Sequence, residues 1–217
     1  MKQKTIFTVS AIVLLLAFVA AAVLYSGQKE KAANQLAEAN RAALIRMHSP
    51  TEGNPNAPVV IVEFFDPACE TCSDFYPRVK NLMAAHPDKI RLVLRYAPFH
   101  DGSQQVVAVL EAARKQGKFW PALEALFSSQ RDWAANHTAQ IGKVWKHLDG
   151  LGLNMEQMAF DITSPEIEKL IAQDLDDART LNVTMTPEYF VNGKPLPSFG
   201  FEQLTELVNQ ALAENTR

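Results

Sequence analysis

Residues 59–72 read Val59-Val60-Ile61-Val62-Glu63-Phe64-Phe65-Asp66-Pro67-Ala68-Cys69-Glu70-Thr71-Cys72. The first seven are β-branched and aromatic with one acid among them, the pattern of a strand buried on both faces. Asp66-Pro67-Ala68 breaks the run. Phe75, Val79, Leu82 and Met83 then recur at helical spacing, and Pro77 inside that pattern predicts a kink. Two cysteines three residues apart thus stand where a buried strand hands over to a helix. A helix N-terminus offers unpaired N–H groups and positive potential, which stabilise a thiolate. Cys69, at the helix start, is expected to be exposed and to attack; Cys72, one turn in, can reach its sulfur and resolve a mixed disulfide.

Working outward, Ile90 to Tyr96 reads as a second buried strand, reached by a right-handed crossover if parallel to the first. A helical block follows: Val106 to Arg114, Trp120 to Ser128, then Ile141, Val144, Trp145 and Leu148 at helical spacing, then Met155 to Ile162. Ser164-Pro165 opens another helix, with Ile167, Leu170, Ile171, Leu175, Ala178 and Leu181 on one face. Tyr189-Phe190-Val191, Asn192-Gly193 and Lys194-Pro195-Leu196 form a predicted hairpin, and Phe201 to Leu212 a last amphipathic helix. The order is strand, helix, strand, helical block, two strands, helix. It gives a thioredoxin-like α/β fold over residues 57–217, with a helical insertion at about 102–182.

Lys2 and Lys4 precede an uncharged apolar run from Ile6 to Tyr25, about the length that crosses a hydrocarbon core. Residues 1–27 fit either a cleaved signal peptide ending near Ala20-Ala21-Ala22 or an uncleaved anchor; the length of the run favours the anchor. Either way the rest is expected outside the cytoplasm, in a periplasmic or similar compartment, held to the inner membrane in the anchored case. Residues 28–56 read as a helical stalk and linker. Gln28 to Met47 lacks Gly and Pro, and Leu36, Ala39, Ala43 and Met47 make a thin stripe, that of a solvated stalk or a weak self-association helix. Gly53-Asn54-Pro55-Asn56-Ala57-Pro58 cannot continue a helix.

The 217 residues carry a net charge of −3, but residues 49–217 hold 15 basic and 22 acidic side chains, a net −7. Such a domain is repelled by phosphate backbones and anionic lipid, so no nucleic-acid partner is expected. Cys69 and Cys72 are the only cysteines. A structural disulfide closing so short a loop would add only about 2 kcal/mol on chain-entropy grounds. Zinc needs two more ligands, and His48, His86, His100, His137 and His147 show no paired spacing. Two thiolates do suit Cu(I), so a copper- or peptide-binding protein without catalysis is the alternative to thiol–disulfide exchange. Exchange itself asks for no cofactor and no bound metal.

The run Val62 to Cys72, with Thr186-Pro187-Glu188-Tyr189-Phe190-Val191-Asn192-Gly193, Arg95-Tyr96-Ala97-Pro98-Phe99-His100 and Gly117-Lys118-Phe119-Trp120, resembles the DsbA-like branch of the thioredoxin superfamily. The similarity covers roughly residues 57–213 in matching order. It implies dithiol–disulfide chemistry on exported proteins, a membrane partner that recycles the pair, a buried acid at Glu63 and a cis-proline at Pro187 preceded by Thr186. As a proton acceptor, Glu63 would help Cys72 become a thiolate. Between the cysteines, Glu70-Thr71 matches neither the His of strongly oxidising members nor the Pro of reducing ones. Glu70 opposes thiolate formation at Cys69, and Thr186 looks more like the isomerase and reductase relatives. The direction of electron flow, oxidase against isomerase or reductase, stays open.

Overall fold

The computed structural model describes the backbone of residues 2–215 and the side chains of these except residues 2–11, 30, 33, 34, 36 and 39. Strands β1 (Thr51–Gly53), β2 (Val59–Phe65), β3 (Ile90–Tyr96), β6 (Glu188–Val191) and β7 (Lys194–Pro195) form one sheet in the order β1-β3-β2-β6-β7. β2 runs parallel to β3, as the crossover through α2 (Glu70–Ala85) requires, and antiparallel to β6. Between β3 and β6 lie α3 (Ser103–Lys115), α4 (Phe119–Ser128), α5 (Gln130–Trp133), α6 (Ile141–Val144), α7 (Met155–Asp161) and α8 (Pro165–Thr180). The last helix, α9 (Phe201–Glu214), returns to the sheet.

Alternation along β2 separates two cores. Val59, Ile61 and Phe65 join the main core with Val79 of α2, Leu92 and Leu94 of β3, and Leu204 and Val208 of α9. Val62 and Phe64 point the other way, into a smaller core with Leu44, Val93, Ala178, Val183 and Phe190. Trp133, fully buried, fills the insertion as core, its Nε1 donating to Leu126 O at 2.9 Å. Asn192 (φ 48°) and Gly193 (φ 84°) make the turn expected of an Asn-Gly hairpin.

Outside the cysteine site, the structure departs from the sequence reading in four places. Residues 2–44 form one helix, α1 (Lys2–Leu44), which stops short of Met47. Ala43 and Leu44 are buried and Met47 is fully exposed, so the stalk ends packed on the sheet; the side chains of Leu36 and Ala39 lie outside the described residues. Within the expected linker, Thr51–Gly53 adds a strand antiparallel to β3; three exposed or half-exposed residues carry no alternation that would announce it. The helix expected across Ile141 to Leu148 is one α-turn followed by a 3-10 turn, Trp145–His147. Ala134–Ala135 (β4) and Thr138–Ala139 (β5) form a small hairpin that no sequence pattern announces.

A buried charge cluster fastens the end of α1. The fully buried Arg95 guanidinium sits 2.7 Å from Asp174 Oδ1 and 2.6 Å from Asp177 Oδ2, both on α8, and also donates to the Ala43 carbonyl. Arg46 pairs with Asp177 Oδ1 at 2.6 Å, and His48 Nε2 lies 2.6 Å from Asp174 Oδ1. Removing Arg95, the fully buried member that pairs with both acids, leaves uncompensated buried charge, a loss of about 3–5 kcal/mol.

Candidate active site

Cys69 is the N-cap of α2, with extended backbone (φ −78°, ψ 119°), and its sulfur accepts the Cys72 N–H at 3.4 Å. Cys69 Sγ also donates to the carbonyl oxygen of Thr186 at 3.3 Å, across the gap between α2 and the segment that enters β6. The Thr186–Pro187 bond is cis. Both cysteines are free thiols. Cys69 is not exposed as expected: only 6% of its surface is accessible, because Thr186 and the loop from Asp66 close over it.

The electrostatics divide the pair. Cys69 is lowered to about 6 from an ordinary value of 9.0. Its contact with the Cys72 thiol is the main cause, burial acts against it, and Thr186 and the backbone N–H groups of Cys72 and Thr71 add to the lowering. Cys72, fully buried, is pushed well above 9.0, first by burial and then by Cys69 and Glu63. Cys69 is therefore acidic enough to ionise below neutral pH, giving up the proton it shares with the Thr186 carbonyl, while Cys72 stays protonated.

Glu63 lies in β2 in register with Tyr189 of β6, and both are essentially inaccessible. Burial raises the Glu63 carboxyl to about 8, with the Tyr189 hydroxyl acting against that shift and Cys69 adding to it. Glu63 Oε2 and the Tyr189 hydroxyl both lack a partner of hydrogen-bond geometry among the described residues. An acid with a free oxygen, protonated below about pH 8 and a carboxylate above it, thus sits in the electrostatic field of Cys72. Glu70 is an exposed acid in the first turn of α2, and Thr71 is half-buried beside it, its backbone N–H directed to Cys69. The structure brings Cys69, Cys72, Glu63, Thr186 and Pro187 together and leaves Glu70 at the rim.

A family model described as "Thioredoxin" matches residues 46–210, three-quarters of the chain. The chain belongs to the thioredoxin family. A thioredoxin-like oxidoreductase from Silicibacter pomeroyi DSS-3 superposes with a TM-score of 0.68 at 32% identity, over 79% of this chain and 96% of that one. The alpha-DsbA1 of Wolbachia pipientis superposes with a TM-score of 0.70 at 18% identity, over 82% and 97%. The architecture of this chain is that of these thioredoxin-like proteins. Among curated sequences, the Na(+)/H(+) antiporter NhaA of Herminiimonas arsenicoxydans is 30% identical over 165 residues, 76% of this chain and 26% of that protein. The chain thus spans about a quarter of the length of the curated relatives it matches.

Two supports of this thioredoxin-family site escape a reading of the sequence. Gln130, buried on α5, donates through Nε2 to the carbonyls of Pro67 (2.8 Å) and Cys69 (2.9 Å). Asp66, fully buried, accepts from Ala68 N (2.8 Å), His100 N (2.8 Å) and the Ser103 hydroxyl, and lies 2.7 Å from His100 Nδ1. Its own carbonyl accepts the Cys69 N–H at 3.0 Å. These polar groups of the active-site loop are thereby matched, which fixes the direction of the Cys69 sulfur. Nothing in the local sequence marks Gln130; only the loss of two buried carbonyl partners would.

Proposed function

We propose that Cys69 and Cys72 form a redox pair that exchanges disulfides with exported proteins at the outer face of a membrane to which α1 anchors the chain. The observation that carries this reading is the placement of two unlike thiols. Cys69 caps the N-terminus of α2 with its sulfur against the Cys72 N–H and Thr186, and Cys72 lies fully buried one turn in, an arrangement that lowers the first thiol and raises the second. In the reducing direction the Cys69 thiolate attacks a client disulfide. One client sulfur bonds to Cys69 and the other leaves as a thiolate. Cys72 then gives its proton to the carboxylate form of Glu63, whose share grows as pH rises toward 8, and attacks Cys69; the Cys69–Cys72 disulfide forms and the second client sulfur leaves as a thiolate. The client gains two electrons, the pair loses two, and the same steps reversed oxidise a client dithiol. A redox partner that resets the pair decides the direction.

Thr186 and Pro187 serve as the client-binding segment in this reading, supported by the approach of the Thr186 carbonyl to the attacking sulfur and by the exposed side chains of Met185 and Phe199. The membrane anchor is supported by the window Ile12–Lys29, apolar enough to span and entirely unburied. Reduction of insulin disulfides tests the proposal. Activity lost in Cys69→Ser, with no tight uptake in a Cu(I) titration of the reduced protein, supports it. Tight copper binding without exchange would replace it by the copper-binding alternative.

A further inference from the structure

The direction of α1 across the sheet sets where the catalytic end faces, given the anchor proposed above. The active-site loop leaves the C-terminal end of β2 at Phe65, and Thr186-Pro187 enters β6 at that same end. The opposite end of the sheet carries the hairpin turn: Asn192 N donates to Val60 O at 2.9 Å, and Asn192 Oδ1 accepts from Val60 N at 2.8 Å. Ala37 of α1 sits against that turn. A Cβ on Gly193 would come within 2.9 Å of the Ala37 Cβ and 3.0 Å of its carbonyl oxygen. Six residues later, the Ala43 carbonyl accepts from Arg95, which lies beside Phe64 near the catalytic end. Along this stretch Ala37, Arg41 and Leu44, with Ile45 just past the helix end, line a cavity of about 410 Å³ against Val60 and Val62.

α1 therefore climbs the sheet from the hairpin end to the catalytic end, in the same sense as β2. Its earlier residues, including the window Ile12–Lys29, continue past the hairpin end. At 1.5 Å per helical residue, Lys29 lies about 12 Å beyond Ala37. At about 3.3 Å per strand residue, Phe65 lies about 17 Å on the other side of Val60.

From this geometry we propose that the domain stands on the membrane with its hairpin end down and its dithiol pointing away from the bilayer, about 30 Å above it. A redox partner in the same membrane must then carry its cysteines on a part that projects about that far, a soluble domain and not a short loop between spans. The proposal rests on the anchor reading, and the charge cluster of Arg95, Asp174, Asp177 and Arg46 holds the docked end of α1 in place.

Energy transfer in lipid vesicles tests it with the full chain. Two single-cysteine proteins on a Cys69→Ser/Cys72→Ser background would carry a donor dye at the exposed positions Glu70→Cys, beside the catalytic end, and Asn56→Cys, in the turn that precedes β2. The acceptor is a headgroup-labelled lipid. Transfer is expected to be clearly weaker from position 70 than from position 56. Deleting seven residues from 29–35, two turns that preserve the helical phase, should raise transfer from both. Protein that floats with the vesicles but transfers equally from both positions, or more from position 70, overturns the orientation alone. Protein that fails to float with the vesicles overturns the anchor and the orientation with it.

Discussion

The sulfur of Cys69 lies 3.3 Å from the carbonyl oxygen of Thr186, a residue 117 positions further along the chain. That contact joins the helix end that ionises the thiol to the segment on which an extended client would lie. Cys69 should consequently titrate near 6, and its alkylation rate should rise with pH through that value and then level off. Ultraviolet thiolate absorbance of reduced Cys72→Ser and of the unaltered protein checks it. Because the contact with Cys72 contributes most to the lowering, the serine variant should titrate somewhat higher.

Glu63 gives a pH signature in stability as well as in rate. Its carboxyl is held at about 8 in the fold against 4.5 when free, so between those values the folded chain binds a proton that the unfolded chain does not. Folding stability from this group is complete below about 4.5 and is lost as pH rises to about 8, at most about 1.4 kcal/mol per pH unit. Thermal melts of Glu63→Gln should match the unaltered protein at acid pH and become progressively the more stable of the two toward pH 8. The same variant should slow exchange by about ten-fold or more, by loss of the proton acceptor for Cys72.

Gln130→Ala should raise the Cys69 pKa toward that of a free thiol while lowering stability by about 1–3 kcal/mol, the usual consequence of leaving buried carbonyls unpaired. The first effect separates positioning of the sulfur from mere loss of packing. Titration of Cys69 in the variant checks it, and an unmoved pKa with a lowered melting temperature would reduce Gln130 to a structural role.

Glu70 acts from the rim. Helix-end interactions of an exposed charge are about 0.3–1 kcal/mol, less than one pKa unit. Glu70→His should lower the Cys69 pKa by that modest amount and make the pair more oxidising, since a better stabilised thiolate favours the reduced form. A glutathione redox equilibrium on both proteins measures it.

Much of this arrangement is legible locally. The run from Val59 to Phe65 announces a strand by its own composition, and the helical spacing of Phe75, Val79 and Leu82 places Cys69 at a helix start. Glu63 stands out because a lone acid in such a run needs a reason. Arg95, Asp174, Gln130 and Asp66 do not announce themselves, because their partners lie dozens of residues away: 79 positions for Arg95 to Asp174, 61 for Gln130 to Cys69. A polar residue inside a helix reads as surface until the fold brings a partner to it. β1 is hidden for a related reason, since a three-residue edge strand derives its identity from β3 and not from its own side chains.

Cys69 as the attacking sulfur is the central claim, and trapping tests it most directly. Cys72→Ser and Cys69→Ser would each be incubated with a disulfide-bonded unfolded client, quenched with acid and analysed by mass spectrometry for a mixed disulfide. Cys72→Ser is predicted to accumulate the adduct on Cys69, and Cys69→Ser to accumulate none. An adduct that forms on Cys72 in Cys69→Ser, with none on Cys69 in the other variant, would contradict the claim.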